Sequence, residues 1–106
     1  MTEPGGTRAP LEHLRVVDLT TEMAVLTVRM LTGFGADVTR IEPPGGDSLR
    51  SRPPLTPGTD GKPVSLYWLH MMDGRTMASL DLASIQGREH FFDLLADADV
   101  VVESQP

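Results

Sequence analysis

Apolar and polar residues alternate in blocks along this chain, and block length decides the element type. Residues 14–19 (LRVVDL) form an apolar run too short for a helix and rich in valine. Such a run reads as a strand buried on both faces, as in parallel sheets. Thr20 and Thr21 follow it as candidate helix N-caps. Over residues 22–34, apolar side chains recur at Met23, Leu26, Met30 and Phe34, with Ala24, Val28 and Leu31 widening the stripe. That is helical periodicity, and the stripe is expected to face the core. Gly35 suits the left-handed residue that stops a helix. A second buried strand is expected within residues 36–41, with 38–41 at its heart.

Residues 43–62 hold Pro43, Pro44, Pro53, Pro54 and Pro57 together with Gly45, Gly46, Gly58 and Gly61. No regular element is expected there, and a loop of that length in a compact domain is usually functional or mobile. Residues 63–72 (PVSLYWLHMM) read as one short helix over the sheet, and 75–82 (RTMASLDL) as a third strand. Ser84 is placed to cap a helix over 85–96, with Ile85, Phe92 and Leu95 on one face. Residues 99–102 make a fourth strand. The order β-α-β-(loop, short α)-β-α-β predicts an α/β fold: a parallel sheet with flanking helices and right-handed crossovers. Residues 1–10 read as a flexible lead and 11–106 as one domain. A doubly wound sheet would continue into another helix after the fourth strand, so a fragment of a longer chain is expected.

Composition narrows the function classes. At 106 residues the chain can bury a real core. With only five aromatic residues, counting one Trp, one Tyr and three Phe, that core must rest on aliphatic side chains and methionine. Met23, Met30, Met71, Met72 and Met77 are expected to fill its gaps. The formal charge of −6 argues against a nucleic-acid partner. The absence of cysteine excludes disulfides and thiolate metal sites, and His13, His70 and His90 show no metal spacing. His70 lies in an apolar segment and is expected at the edge of the core. There is no signal peptide pattern and no run near the roughly 20 apolar residues of a spanning helix. A cytoplasmic protein without a membrane partner is expected.

In an open parallel sheet, ligands bind outside the carboxyl ends of the strands. Residues 33–47 (GFGADVTRIEPPGGD) leave the second strand at such an end. Gly33 and Gly35 fail the dinucleotide fingerprint, which follows the first strand and opens a helix; here the glycines close one. No NAD is expected. The Pro43-Pro44-Gly45-Gly46 turn has two readings: a strand terminator, or a backbone that lets a phosphate approach closely. Asp18 and Glu42 lie near neighbouring strand ends, placed for acid/base work or for binding loop amides. Arg40, Arg50 and Arg52 offer planar forks suited to phosphate or carboxylate, or form a solvated surface.

These residues also resemble a family. Residues 10–20 (PLEHLRVVDLT) resemble the opening "PLxGxxVxDLT" of the family III coenzyme A transferases of the CaiB/BaiF type. Residues 35–47 (GADVTRIEPPGGD) are similar to that family's "GADVIKVEPPGGD". Residues 80–88 (LDLASIQGR) are similar to "LDLKSPEGR", and 98–103 (ADVVVE) to "ADVVVEN". The resemblance implies a Rossmann-like amino-terminal domain of a longer protein that forms an interlocked homodimer. Members move coenzyme A between carboxylic acids through a catalytic aspartate that the resemblance places beyond residue 106. The α-methylacyl-CoA racemases share these blocks, so racemisation is the alternative chemistry. A non-catalytic domain that has lost coenzyme A binding is a further alternative.

The departures from the family pattern fall on ligand-facing turns. The "AGP" turn after the first strand is here one residue shorter, with Ala24 as its match. The "NKRS" before the third strand is Gly74-Arg75-Thr76-Met77, and the "ENF" after the fourth is Glu103-Ser104-Gln105. Coenzyme A, free or as acyl-CoA, is the implied ligand, with no metal. Arg75 is the implied phosphate cation, with Arg40 or Arg50 as weaker candidates. Ala24, Ser104 and Gln105 would line the pantetheine path by backbone contacts.

Overall fold

A computed structural model describes residues 8–104 of the chain. Four strands, β1 (Arg15–Leu19), β2 (Asp37–Glu42), β5 (Thr76–Ser79) and β6 (Val100–Glu103), form one sheet in the order β5-β2-β1-β6. All three pairings are parallel, with Val16 opposite both Val38 and Val100. The order reverses direction at β1, so the switch point lies between the carboxyl ends of β1 and β6. The α/β reading of the sequence therefore holds. Most of the expected amino-terminal lead lies outside the described residues.

Successive side chains of a strand point to opposite faces, and β1 shows the consequence. Val16 packs with Val28, Ala36 and Val38 beneath α1 (Val25–Gly33). Val17 packs on the other face with Ile41 and Leu80, against Phe91, Leu94 and Leu95 of α3 (Ile85–Ala96). A third cluster joins Val25 of α1, Leu49, and Trp68 and Met72 of α2 (Leu66–Met72). Among the described residues, no helix is long and apolar enough to cross a membrane.

Several expectations need correction. Only part of the apolar stripe expected in α1 faces the core: Val28 is buried and Leu31 packs against it, but Met23 is 90% exposed, and Leu26, Met30 and Phe34 are about half-exposed. The buried side is Val25 and Val28. Beta-branched residues are compact near the backbone, which suits the face a helix lays on a pleated sheet. Of the five methionines expected inside, only Met72 is buried, with Met71 and Met77 packed against its cluster. In α3, Ile85 and Phe92 are exposed, and Leu95 packs inward beside Phe91 and Leu94. His70 is exposed at the last turn of α2, where its carbonyl accepts from Arg29 Nε at 3.0 Å.

The threonines after β1 do not cap α1, whose N-cap is Ala24 without a side-chain hydrogen bond. Their hydroxyls are taken by Asp18 and Ser104. The proline- and glycine-rich segment is more regular than expected. It contains a 3-10 turn (Ser48–Ser51) and β3 (Leu55–Pro57), which pairs antiparallel with β4 (Pro63–Ser65). Pro57 and Pro63 sit opposite each other at the end of that short ladder, where proline is tolerated.

The expected cap of the third helix forms, whereas the helix expected over 63–72 begins only at Leu66, with Ser65 as a cap the sequence reading did not name. Ser65 Oγ accepts from Trp68 N, and Ser84 Oγ accepts from Gly87 N, each at 2.9 Å. Gly35 adopts φ +100° at the end of α1, where a Cβ would also lie 2.4 Å from that of Ala9. Gly87 is required for a steric reason: a Cβ there would lie 1.8 Å from the carbonyl oxygen of Asp81. Helix propensity alone predicts that Gly87→Ala stabilises α3 by about 1 kcal/mol. The contact predicts the opposite sign, a loss of about 1–3 kcal/mol through overpacking. Urea unfolding of Gly87→Ala beside the exposed control Glu89→Ala reads that sign directly.

Candidate functional site

The carboxyl-terminal halves of β1 and β2 carry a buried charge network in place of apolar side chains, joined by Arg75 from the residue that precedes β5. Asp18, near the end of β1, has no solvent exposure. Its Oδ1 accepts from Thr20 N at 2.8 Å and Thr20 Oγ1 at 2.6 Å. Its Oδ2 accepts from Arg40 Nη1 at 3.0 Å and from Arg75 Nη1. Four acceptor positions are thus filled, the capacity of a carboxylate. Asp18 therefore meets a loop amide, as one of its two readings held, and has no lone pair left for a substrate proton.

Arg40 is equally committed. Its Nε donates to Asp47 Oδ2 at 3.1 Å, and Nη2 donates to Asp47 Oδ2 at 2.8 Å and Thr20 O at 3.0 Å. With Asp18 and Thr20 Oγ1 receiving from Nη1, all five N–H groups of the fork are used. Arg75 has a fully buried side chain that donates to Asp18 and, through Nη2, to Val25 O at 2.9 Å. Burial lowers the proton affinity of its guanidinium below the ordinary arginine value, opposed by the charge of Asp18. In this geometry Arg75 points inward and is not presented to a ligand.

Glu42 ends β2 and grips Arg50 with both oxygens, Oε2 accepting from Nε and Oε1 from Nη2, each at 2.7 Å. Oε2 also accepts from Asp47 N at 3.1 Å. The hydrogen bond from Arg50 holds the Glu42 carboxyl below its usual value, against the opposing effect of burial, and the same bond raises Arg50. The Arg50 guanidinium lies over the Trp68 ring at 4.4 Å, and that of Arg40 at 5.8 Å. Gly45 and Gly46 have φ of +86° and +90°, so the turn demands glycine, and a Cβ on Gly46 would meet Arg50 Cδ at 2.7 Å.

A pH signature follows. A carboxyl with a depressed folded pKa stabilises the fold above its unfolded value, and that contribution is lost as pH falls through the folded value. Glu42→Gln should therefore cost about 1–2 kcal/mol at pH 7, scaled down because Arg50 is half-exposed. The difference from wild type should shrink below the ordinary glutamate value of 4.5. Urea melts of both proteins between pH 7 and pH 3 check it; a difference independent of pH would contradict the assignment.

Above this network lies a cavity of about 710 Å³, between the turn after β1, the turn after β2 and the segment after β5. Its apolar wall includes Leu19, Ile41, Pro43, Pro44, Leu80 and Leu82, and its polar groups include Thr20, Thr21, Arg40 and Asp47. Two further carboxylates, Glu22 and Asp81, line it as well. Sequence reasoning offered Thr21 only as a helix cap and did not single out Asp47, Trp68 or Asp81. Asp47 and Asp81 stand inside the family-like blocks, the signal that could have marked them.

The residues expected at the site divide into separate places. Ala24 and Ser104 lie at the switch point rather than in the cavity wall. Ser104 Oγ accepts from Thr21 N at 2.7 Å and lies 2.8 Å from Thr21 Oγ1, joining β6 to the turn after β1. Arg75 lies in the network below. Arg40 lines the cavity, and Arg50 flanks the same turn with its side chain 46% exposed. Gln105 lies outside the described residues.

A parallel sheet in the third-second-first-fourth order with helices on both faces defines a Rossmann-like α/β domain. The chain belongs to CoA-transferase family III, whose family model matches residues 11–106. It is 40% identical over 95 residues to a succinyl-CoA:mesaconate CoA-transferase of Haloarcula hispanica, covering 89% of this chain and 24% of that protein. It is 41% identical over 92 residues to the BbsE subunit of a succinyl-CoA:(R)-benzylsuccinate CoA-transferase of Thauera aromatica, covering 87% of this chain and 22% of that one. A solved CaiB/BaiF family protein from Brucella suis superposes with a TM-score of 0.80 at 32% identity, over 92% of this chain and 26% of that protein. The chain thus spans about a quarter of the length of the curated relatives it matches.

Proposed function

We propose that this chain forms the coenzyme A-binding amino-terminal part of an enzyme that transfers coenzyme A between carboxylic acids. The observation that carries the reading is the strand-end cavity, walled by the conformationally specific Pro-Pro-Gly-Gly turn of the family-like block. The two transferases named above are succinyl-CoA enzymes, which favours transfer over racemisation and makes a dicarboxylic acyl group the first substrate to test. The catalytic aspartate belongs, on the same reading, to a part of the protein beyond residue 106.

The geometry bears on the choice of phosphate cation. Arg75 and Arg40 are buried against Asp18, Thr20, Asp47 and Val25 O, whereas Arg50, though paired with Glu42, keeps its guanidinium partly exposed beside the same turn. We therefore assign Arg50 to the phosphate and Arg75 to the support of Asp18. Ala24 and Ser104 keep a proposed backbone role along the pantetheine path, beside Gln105. Self-association as a homodimer in a cytoplasmic setting is part of this reading. The exposed Met23, Leu26 and Met30 of the α1 side, and Ile85 and Phe92 on the opposite face of the sheet, are apolar groups that a partner subunit or the rest of the protein would cover.

Calorimetric titration of the full-length protein with coenzyme A tests the proposal. Saturable heat is expected, weakened roughly tenfold by Leu82→Trp, which fills the cavity from its half-exposed rim. No heat at millimolar ligand from folded protein would defeat it.

A further inference from the structure

We propose that Arg40 is a positioning residue whose guanidinium sets the separation between two walls of the strand-end cavity. One wall is the turn after β1 at Thr20 and Thr21; the other is the turn after β2 that ends at Asp47. A single nitrogen, Nη2, donates to both, to Thr20 O at 3.0 Å and to Asp47 Oδ2 at 2.8 Å. The other two nitrogens fix the angle of the fork. Nη1 is tied to Asp18 at 3.0 Å, and Nε is tied to Asp47 at 3.1 Å. With five donors spent on the protein, Arg40 has none for a ligand; its effect on binding passes through the walls. The side chain is 4% exposed, so water does not compete for these bonds.

The fork matters more than the charge. An arginine presents five donors in one rigid plane, whereas a lysine presents three on a single atom. A lysine at this position could reach Asp18 or Asp47, but could not hold both walls in one plane. Asp47 is the natural second handle. Its side chain is 14% exposed, its Oδ1 accepts from Leu49 N at 2.8 Å, and its Oδ2 is given wholly to Arg40.

The test compares wild type, Arg40→Lys and Asp47→Asn in the full-length protein, by hydrogen exchange and by coenzyme A titration. The amides of residues 20–24 and 45–49 should exchange roughly tenfold faster in both variants, with the amides of β1 and β2 unchanged. Coenzyme A should bind roughly tenfold more weakly, the scale set by small misplacements of a site. The double variant should be no worse than the poorer single one, because both break the same clip. Wild-type exchange in the two turns of the variants, or faster exchange spread evenly over the chain, would overturn the proposal. The binding arm rests on the coenzyme A reading. If wild type gives no heat, that reading fails, and the exchange arm alone decides the role of Arg40.

Discussion

Asp18→Ala is expected to lower the unfolding free energy by about 3–5 kcal/mol, the cost of stripping the partner from a buried ion pair. The argument is one of charge left behind. Asp18 is unexposed and receives the guanidiniums of both Arg40 and Arg75, neither of which has water to turn to. Removing the carboxylate leaves Arg75 with Val25 O as its one remaining hydrogen-bond acceptor, and its Nε is already unmatched. It also frees Thr20 N and Thr20 Oγ1 at the edge of the cavity. Asp18→Asn, which keeps the shape and loses the charge, should fall between wild type and alanine. Glu12→Ala, which breaks the exposed pair with Arg8, should leave the melt unchanged. Urea unfolding of the three variants measures the series. A loss below about 1 kcal/mol for Asp18→Ala would mean that water reaches the arginines readily and that the network is a surface feature.

That network also marks the limit of what the sequence made legible. Periodicity located β1, α1, β2, α3 and β6 because each is a run whose type depends on neighbours a few residues away. It could not choose between the two faces of α1. Val25 and Val28 lie on one side, and Met23, Leu26 and Met30 on roughly the other, at about 100° per residue. Both are apolar, and only the sheet decides which is buried. The short ladder of β3 with β4 was hidden by prolines that sit where a ladder ends. The site was half legible. The Pro-Pro-Gly-Gly turn and the candidate arginines were found as residues, but their partners were not. Asp18 and Arg75 are separated by 57 positions, and nothing local says that they meet. The resemblance marks Arg75 as a phosphate cation, and in the structure the anion its guanidinium meets is the Asp18 carboxylate.

Trp68→Ala is expected to cost about 3–5 kcal/mol, the range for deleting a large buried aromatic side chain. Trp68 is 7% exposed and packs against Val25, Leu49 and Met72, joining two helices and the 3-10 turn on one face of the sheet. It is also the surface on which Arg50 and Arg40 lie, so its loss acts on the cavity wall as well as on the core. The two effects separate in Trp68→Phe. A phenyl ring keeps an aromatic face for Arg50 and loses part of the packing volume, so this variant should recover more than half of the stability. If the face matters to the turn, Trp68→Phe should also keep the acid-sensitive contribution of Glu42, because Arg50 stays in reach of that carboxylate. In Trp68→Ala, Arg50 loses its support, and the stability difference made by Glu42→Gln at pH 7 should shrink. Urea melts of each Trp68 variant, with and without Glu42→Gln, measure that coupling. Equal Glu42→Gln effects in all backgrounds would reduce Trp68 to a core residue with no hold on the turn.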